Sequence, residues 1–194
     1  MSRAVPSVVV SIHNHTGFAG EKQALPCESS FGVLYLHKQK MACRPAGGKG
    51  EETVECRTFS LEELTSPKYV VVFTRYQGKL LLSRHRQRDT WETQGGHIEP
   101  GETPEQAARR ELWEESGAGE FTLIPLCGYR AGDETGSAAG AVFVAQVDAL
   151  GPLPPLEMAE TALFSALPRE LTYPGITPVL WRRAREYFPG VGEA

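Results

Sequence analysis

The 194-residue chain is predicted to fold as an α/β protein, a mixed β-sheet packed between helices, with an N-terminal extension over residues 1–65. Three observations predict this. Short apolar runs with strand character are mixed with two segments of helical period. One of those runs, Tyr69–Arg75 (YVVVFTR), is apolar almost throughout, as in a strand covered on both faces. The stretch Thr103 to Gly117 carries helix signals at both ends.

In the extension, Val8 to Ile12 reads as a short strand, His13 to Gly20 as a polar turn and Phe31 to His37 as a better strand. Arg44 to Glu51 is a loop by composition, and Thr53 to Phe59 is a second strand able to return against Phe31–His37. A small β unit at a homodimer contact and a disordered segment are both allowed by this composition. The boundary falls in Ser60 to Pro67, leaving residues 66–190 as the main domain. There, Tyr69–Arg75 turns at Gln77-Gly78 and Lys79 to Ser83 pairs back as a hairpin. A basic loop follows, Arg84 to Asp89, then Trp91 and the pair Gly95-Gly96.

The next helix has a capping box, Thr103 with Gln106, Pro104 at its first position and Gly117 as its stop. Phe121 to Tyr129 and Ala141 to Val147 read as strands. Thr177-Pro178 starts a closing helix whose apolar stripe is Leu180, Ala184 and Tyr187.

Composition narrows the function. The 41% hydrophobic and 23% charged fractions are those of an ordinary globular protein. A net charge of −4 argues against a nucleic-acid backbone as the main partner. No apolar run reaches the ~20 residues of a membrane span, and no secretory leader is expected before Val8-Val9-Val10. The four cysteines show no C-x-x-C spacing, so free thiols in a reducing cytoplasm are expected. His13, His15 and Cys27 are a poor zinc set, and a polar surface turn is the default for the two histidines.

The chemistry gathers in Gly96 to Ala118, GHIEPGETPEQAARRELWEESGA. At about 100° per residue, Glu111, Glu114 and Glu115 share one helical face. Like charges at i,i+4 cost a helix a few tenths of a kcal/mol, on the order of 0.2–0.5. A hard divalent cation would turn that repulsion into coordination; a solvated acidic face is the plain alternative. Arg110 on the helix is placed to hold Glu102 of the loop in a charge-assisted hydrogen bond, positioning the loop.

Written as a pattern, the stretch is G-x5-E-x7-R-E-(apolar)-x-E-E-x-G-(apolar), with Gly96, Glu102, Arg110, Glu111, Leu112, Glu114, Glu115, Gly117 and Ala118 at the constrained places. It resembles the signature of the Nudix hydrolases at all of them, and the resemblance extends from about Ser66 to Tyr187. It implies an α/β/α sandwich and hydrolysis of a diphosphate linked to a nucleoside or other moiety, with Mg²⁺, or Mn²⁺ as substitute. By position it implies that Glu114 and Glu115 ligate metal, assisted by a backbone carbonyl at Gly95 or Gly96, with Glu111 as general base or third ligand. Relatives often add a carboxylate from beyond the motif; Glu157, Glu160, Asp133 and Glu134 are the candidates.

Substrate contacts are less determined. Arg84, Arg86 and Arg88 could meet phosphates or form a solvated basic loop, and Trp91, Tyr129, Phe143 and Tyr173 could stack on a base or pack in the core. Gln94 stands where many relatives have proline, which predicts a less rigid approach to Gly95. No proline or tyrosine stands at the downstream spacings of the ADP-ribose or dinucleoside-polyphosphate branches. That favours a small-molecule nucleotide, a nucleoside triphosphate or a damaged one. Two other readings stay open: a catalytically silent nucleotide-binding or sensor module, and an interaction protein acting through its extension.

Overall fold

The structure, a computed structural model, describes residues 54–133 and 135–193. The expected strands Val8–Ile12 and Phe31–His37, the His13–Gly20 turn, the Arg44–Glu51 loop and Glu134 lie outside them.

Strand β1 (Glu55–Phe59) is followed by β2 (Tyr69–Tyr76), β3 (Lys79–His85), β4 (Trp91–Glu92) and β5 (Gln94–His97). Helix α1 (Pro104–Ser116) leads into β6 (Ala118–Asp133), β7 (Gly136–Leu150), β8 (Met158–Phe164) and β9 (Ala166–Leu167). Helix α2 (Thr177–Ala184) and the short β10 (Gly192–Glu193) complete the order.

The sheet is mixed, in the order β1-β6-β7-β2-β3-β4, and β2 is its centre. One edge of β2 runs parallel to β7 from Tyr69↔Gly140 to Tyr76↔Val147. The other edge is shared: β5 pairs with its first half (Val70↔Gly96, Val71↔Gly95) and β3 with its second (Thr74↔Leu81). The β3 strand continues along β8. The apolar run follows from the two cores that cover the faces of β2. Val70 and Val72 enter the core under α1 with Ala107, Ala108 and Leu112. Phe73 and the partly buried Val71 join the opposite core, with Leu180, Trp181 and Ala184 of α2. Period-2 alternation thus feeds two cores, and the architecture is an α/β/α sandwich.

The β2–β3 hairpin closes at Gln77 (φ 49°) and Gly78 (φ 76°) between the pair Tyr76↔Lys79. Both central residues are left-handed, the turn that matches strand twist. Strands β6 and β7 run longer than predicted, down to Asp133↔Gly136. Their ends (Ala131-Gly132, Ser137-Ala138-Ala139-Gly140) lack the β-branched residues that mark strands, and mutual pairing holds them instead. Helix α2 is shorter than expected. It gives way to a 3₁₀ turn, Arg185–Tyr187, so Tyr187 is exposed and Phe188 takes the buried place beside Trp181, ring centres 5.1 Å apart.

The expected strand ending at Phe59 is present as β1, and among the described residues it pairs with β6, from Glu55↔Gly132 to Phe59↔Gly128. Residues just ahead of the Ser60–Pro67 boundary therefore belong to the main sheet. Among the described residues no helix is long and apolar enough to cross a membrane.

Candidate active site

Helix α1 is fixed at both ends as its sequence predicts. The Thr103 hydroxyl accepts from the Gln106 amide (3.2 Å) and the Gln106 side chain accepts from the Thr103 amide (2.8 Å). Pro104 opens the helix, and Gly117 (φ 75°) closes it by donating its N–H to the Trp113 carbonyl at 2.8 Å. With Ala107, Ala108 and Leu112 anchored in the core, the rotation of the helix is set. Its carboxylates turn toward β5: Glu111 and Glu115 are buried, at 1% and 6% exposure, and Glu114 is partly open.

Arg110 ties the preceding loop to the helix. Its Nε and Nη2 donate to the two oxygens of Glu102 (2.8 and 2.9 Å), and Nη2 also donates to the His97 carbonyl (3.0 Å). Its Nη1 reaches Glu111 Oε1 (2.8 Å) and Glu114 Oε2 (3.3 Å). The bidentate bond from Arg110, with a further bond from the Glu99 amide, holds the Glu102 carboxyl down at about 2 despite opposing desolvation. Glu102 first, and Glu111 with it, push the Arg110 guanidinium further up against desolvation. A carboxylate depressed in the folded state contributes stability above its unfolded pKa of ~4.3 and loses it as pH falls toward the folded value. The stability lead of the parent over Glu102→Gln is therefore expected to be constant near neutrality. It should disappear between about pH 4.3 and pH 2, read by denaturant unfolding at stepped pH.

The glycine pair meets the glutamates directly. The Gly95 N–H donates to Glu115 Oε2 at 2.8 Å. Gly95 has φ 155°, and a Cβ there would lie 2.2 Å from the Val70 carbonyl oxygen. At Gly96 a Cβ would lie 2.2 Å from Glu111 Oε1, so the carboxylate rests against bare backbone. The donor set is all oxygen, which suits Mg²⁺ or Mn²⁺. As the side chains stand, no three His, Cys, Asp or Glu among the described residues form a closed metal cluster. Arg110 bridges two of the carboxylates and Gly95 holds the third, so a cation held here would take the place of part of these contacts.

The other candidates divide. Arg84 and Glu160 face each other across β3 and β8 and form an ion pair at 2.7 Å. The β3 strand extends through His85, which is why Arg84 belongs to the sheet and not to a basic loop. Arg86 donates to the Met158 carbonyl (3.2 Å), and Arg88 pairs with Glu92 (3.0 Å). Trp91 packs edge-on against Phe164, ring centres 5.0 Å apart, beside the α2-side core. Tyr129 and Phe143 are core residues. Asp133 caps its own turn through the Thr135 amide, 2.8 Å.

The approach to Gly95 is held rather than loose, contrary to what the missing proline predicts. Gln94 is fully buried; it accepts from the Thr74 hydroxyl (2.6 Å) and donates to Ser83 Oγ (2.7 Å). Sequence reading also misses buried Glu92 and its link to Tyr173. The Tyr173 phenol is pushed up to about 12 by burial and by Glu92, opposed by Arg88. No spacing signals this group, because Tyr173 comes from a loop some eighty residues after Glu92.

The site and sandwich define a class, and comparison with known proteins names it. The NUDIX domain family model matches residues 65–166, and the chain belongs to that family. A Bacillus subtilis protein named as a candidate 8-oxo-dGTP diphosphatase, YtkD, is 46% identical over 65 residues, 34% of this chain and 40% of its own length. An RNA pyrophosphohydrolase of Photorhabdus laumondii is 43% identical over 64 residues, 33% of this chain and 36% of its own. The chain thus spans well under half the length of these curated relatives. Among solved structures, the Bacillus subtilis pyrophosphohydrolase BsRppH, crystallised as a mutant, superposes with a TM-score of 0.60 at 26% identity. That match covers 71% of this chain and 92% of the other.

Proposed function

We propose that this chain is a divalent-metal-dependent pyrophosphohydrolase acting on a nucleoside 5′-triphosphate, a damaged one included. The observation that carries the proposal is the seating of Glu111 and Glu115, buried on α1, against the Gly95-Gly96 backbone, with Glu114 at the opening. Glu114 and Glu115 would hold the cation. Mg²⁺, when bound, supplies cancellation of phosphate charge and acidification of water. The rest is work for the chain itself. Arg110 keeps Glu102 and the loop from His97 to Glu102 in place. Glu111, excluded from solvent and contacted by Arg110, is placed either to take a proton from the attacking water or to serve as third ligand.

The names of the relatives support a pyrophosphohydrolase, one being named for RNA and another for 8-oxo-dGTP, itself a nucleoside triphosphate. The net charge of −4 favours the free nucleotide, because an RNA backbone rewards a basic surface. The intact carboxylates weigh against a silent sensor module. Cys56 and Cys127 are free thiols, in keeping with the cytoplasmic placement proposed here.

A product screen tests the reading: nucleoside di- and triphosphates, nucleotide sugars, ADP-ribose and a 5′-triphosphorylated RNA, each with Mg²⁺ or Mn²⁺. Turnover of at least one triphosphate, lost on chelation, is the expected result. A full screen without metal-dependent turnover would reject the proposal.

A further inference from the structure

A buried polar chain joins the middle of the sheet to the last turn of α1. The Thr74 hydroxyl donates to Gln94 Oε1 (2.6 Å), Gln94 Nε2 donates to Ser83 Oγ (2.7 Å), and the Ser83 hydroxyl donates to the Glu115 carbonyl (2.7 Å). Thr74, Gln94 and Ser83 all have 0% exposure, and they lie on β2, β5 and β3. The direction of donation is the same at every step, and the Gln94 amide also donates to the Leu81 carbonyl at 3.5 Å. Such a chain strengthens cooperatively and is costly to interrupt, because an interior group stripped of its partner has no water to replace it.

The chain ends on Glu115, one of the last-turn residues whose carbonyls lack partners within the helix. Glu115 is also held at its other end, where its carboxylate accepts from the Gly95 N–H at 2.8 Å. Gln94 precedes Gly95 in sequence and reaches Ser83 through its side chain. One residue therefore governs both grips on Glu115, the backbone grip through Ser83 and the carboxylate grip through Gly95.

We infer that Gln94 and Ser83 are positioning residues that fix Glu115 for the cation and that Gln94 supplies, by hydrogen bonds, the rigidity its place before the glycine pair requires. The inference rests on the hydrolase reading above. Neither side chain touches the reacting atoms; both act through Glu115.

The test uses the full chain with Ser83→Ala, Gln94→Met and the double variant. Three readouts are needed: hydrogen exchange of the Gly95 amide in metal-free protein, Mn²⁺ affinity by calorimetry without nucleotide, and kcat and KM with Mg²⁺. Each single variant is expected to exchange the Gly95 amide at least tenfold faster, to bind Mn²⁺ about tenfold more weakly, and to lower kcat with KM for the nucleotide little changed. The double variant should be scarcely worse than either single, as for members of one chain of bonds. Ser83→Thr, which keeps the hydroxyl, should restore most of the Mn²⁺ affinity. Folded variants with parental exchange, affinity and kcat would overturn the inference. So would losses that simply add. Should Gln94→Met fail to fold, Ser83→Ala, which removes one oxygen, decides the matter. A parent that binds no Mn²⁺ and turns nothing over defeats the hydrolase reading instead, and the Gly95 exchange rates still judge the positioning chain.

Discussion

Glu115→Gln is expected to lower metal-dependent turnover by about 10³-fold, the scale of losing one group that stabilises developing charge, while the protein stays folded. Size and shape are conserved, and the amide oxygen of glutamine can still accept from the Gly95 N–H that now reaches Glu115 Oε2. Only the negative charge is removed. Glu114 and Glu115 share a helical face with Glu111, so neutralising one relieves like-charge repulsion and Tm should hold or rise slightly. Glu114→Gln should also lower turnover, with a smaller loss expected from its more open position and little change in Tm, since the contact it gives up with Arg110 is long at 3.3 Å. The measurement is kcat across a Mg²⁺ titration beside a thermal melt. Parental turnover in both variants at saturating metal would remove these carboxylates from the reaction.

The two glycines should separate placement from folding. A Cβ at position 96 would lie 2.2 Å from Glu111 Oε1, the end of a side chain that can swing away. Gly96→Ala is therefore expected to cost activity, about 10²-fold, by displacing Glu111, with a small change in Tm. A Cβ at position 95 would lie 2.2 Å from the Val70 carbonyl, which is backbone of the central strand, and φ is 155° there. Gly95→Ala must open the β5–β2 pairing and should destabilise by about 3 kcal/mol or more. Denaturant unfolding and turnover, measured on both variants, read the contrast. An active Gly96→Ala enzyme would show that Glu111 need not sit where it does.

The polar interior explains why some expectations failed. Gln94 looks like a weak substitute for proline as long as only its neighbours in sequence are considered. Its partners Thr74 and Ser83 stand 20 and 11 residues away, and they turn the expected slack into a fixed point. The three arginines of Arg84 to Arg88 look like a free cationic loop. Strand β8 instead brings Glu160 against Arg84 and the Met158 carbonyl against Arg86, and Arg88 finds Glu92.

What the sequence determined by itself was local. The Thr103–Gln106 box, Pro104 and Gly117 set the ends of α1, and the 3.6-residue period places Glu111, Glu114 and Glu115 together. The Gln77-Gly78 turn and the two-sided apolar run of β2 were equally legible. Each depends on forces acting across one to four residues, or on the alternation of a single strand. The tertiary structure alone decided the full length of β6 and β7, the joining of β1 to β6, the Arg84–Glu160 pair and the double grip on Glu115. Those contacts join residues that are distant along the chain, and hydrogen bonds or ion pairs of this kind leave no periodic trace, because either partner alone is an ordinary polar residue.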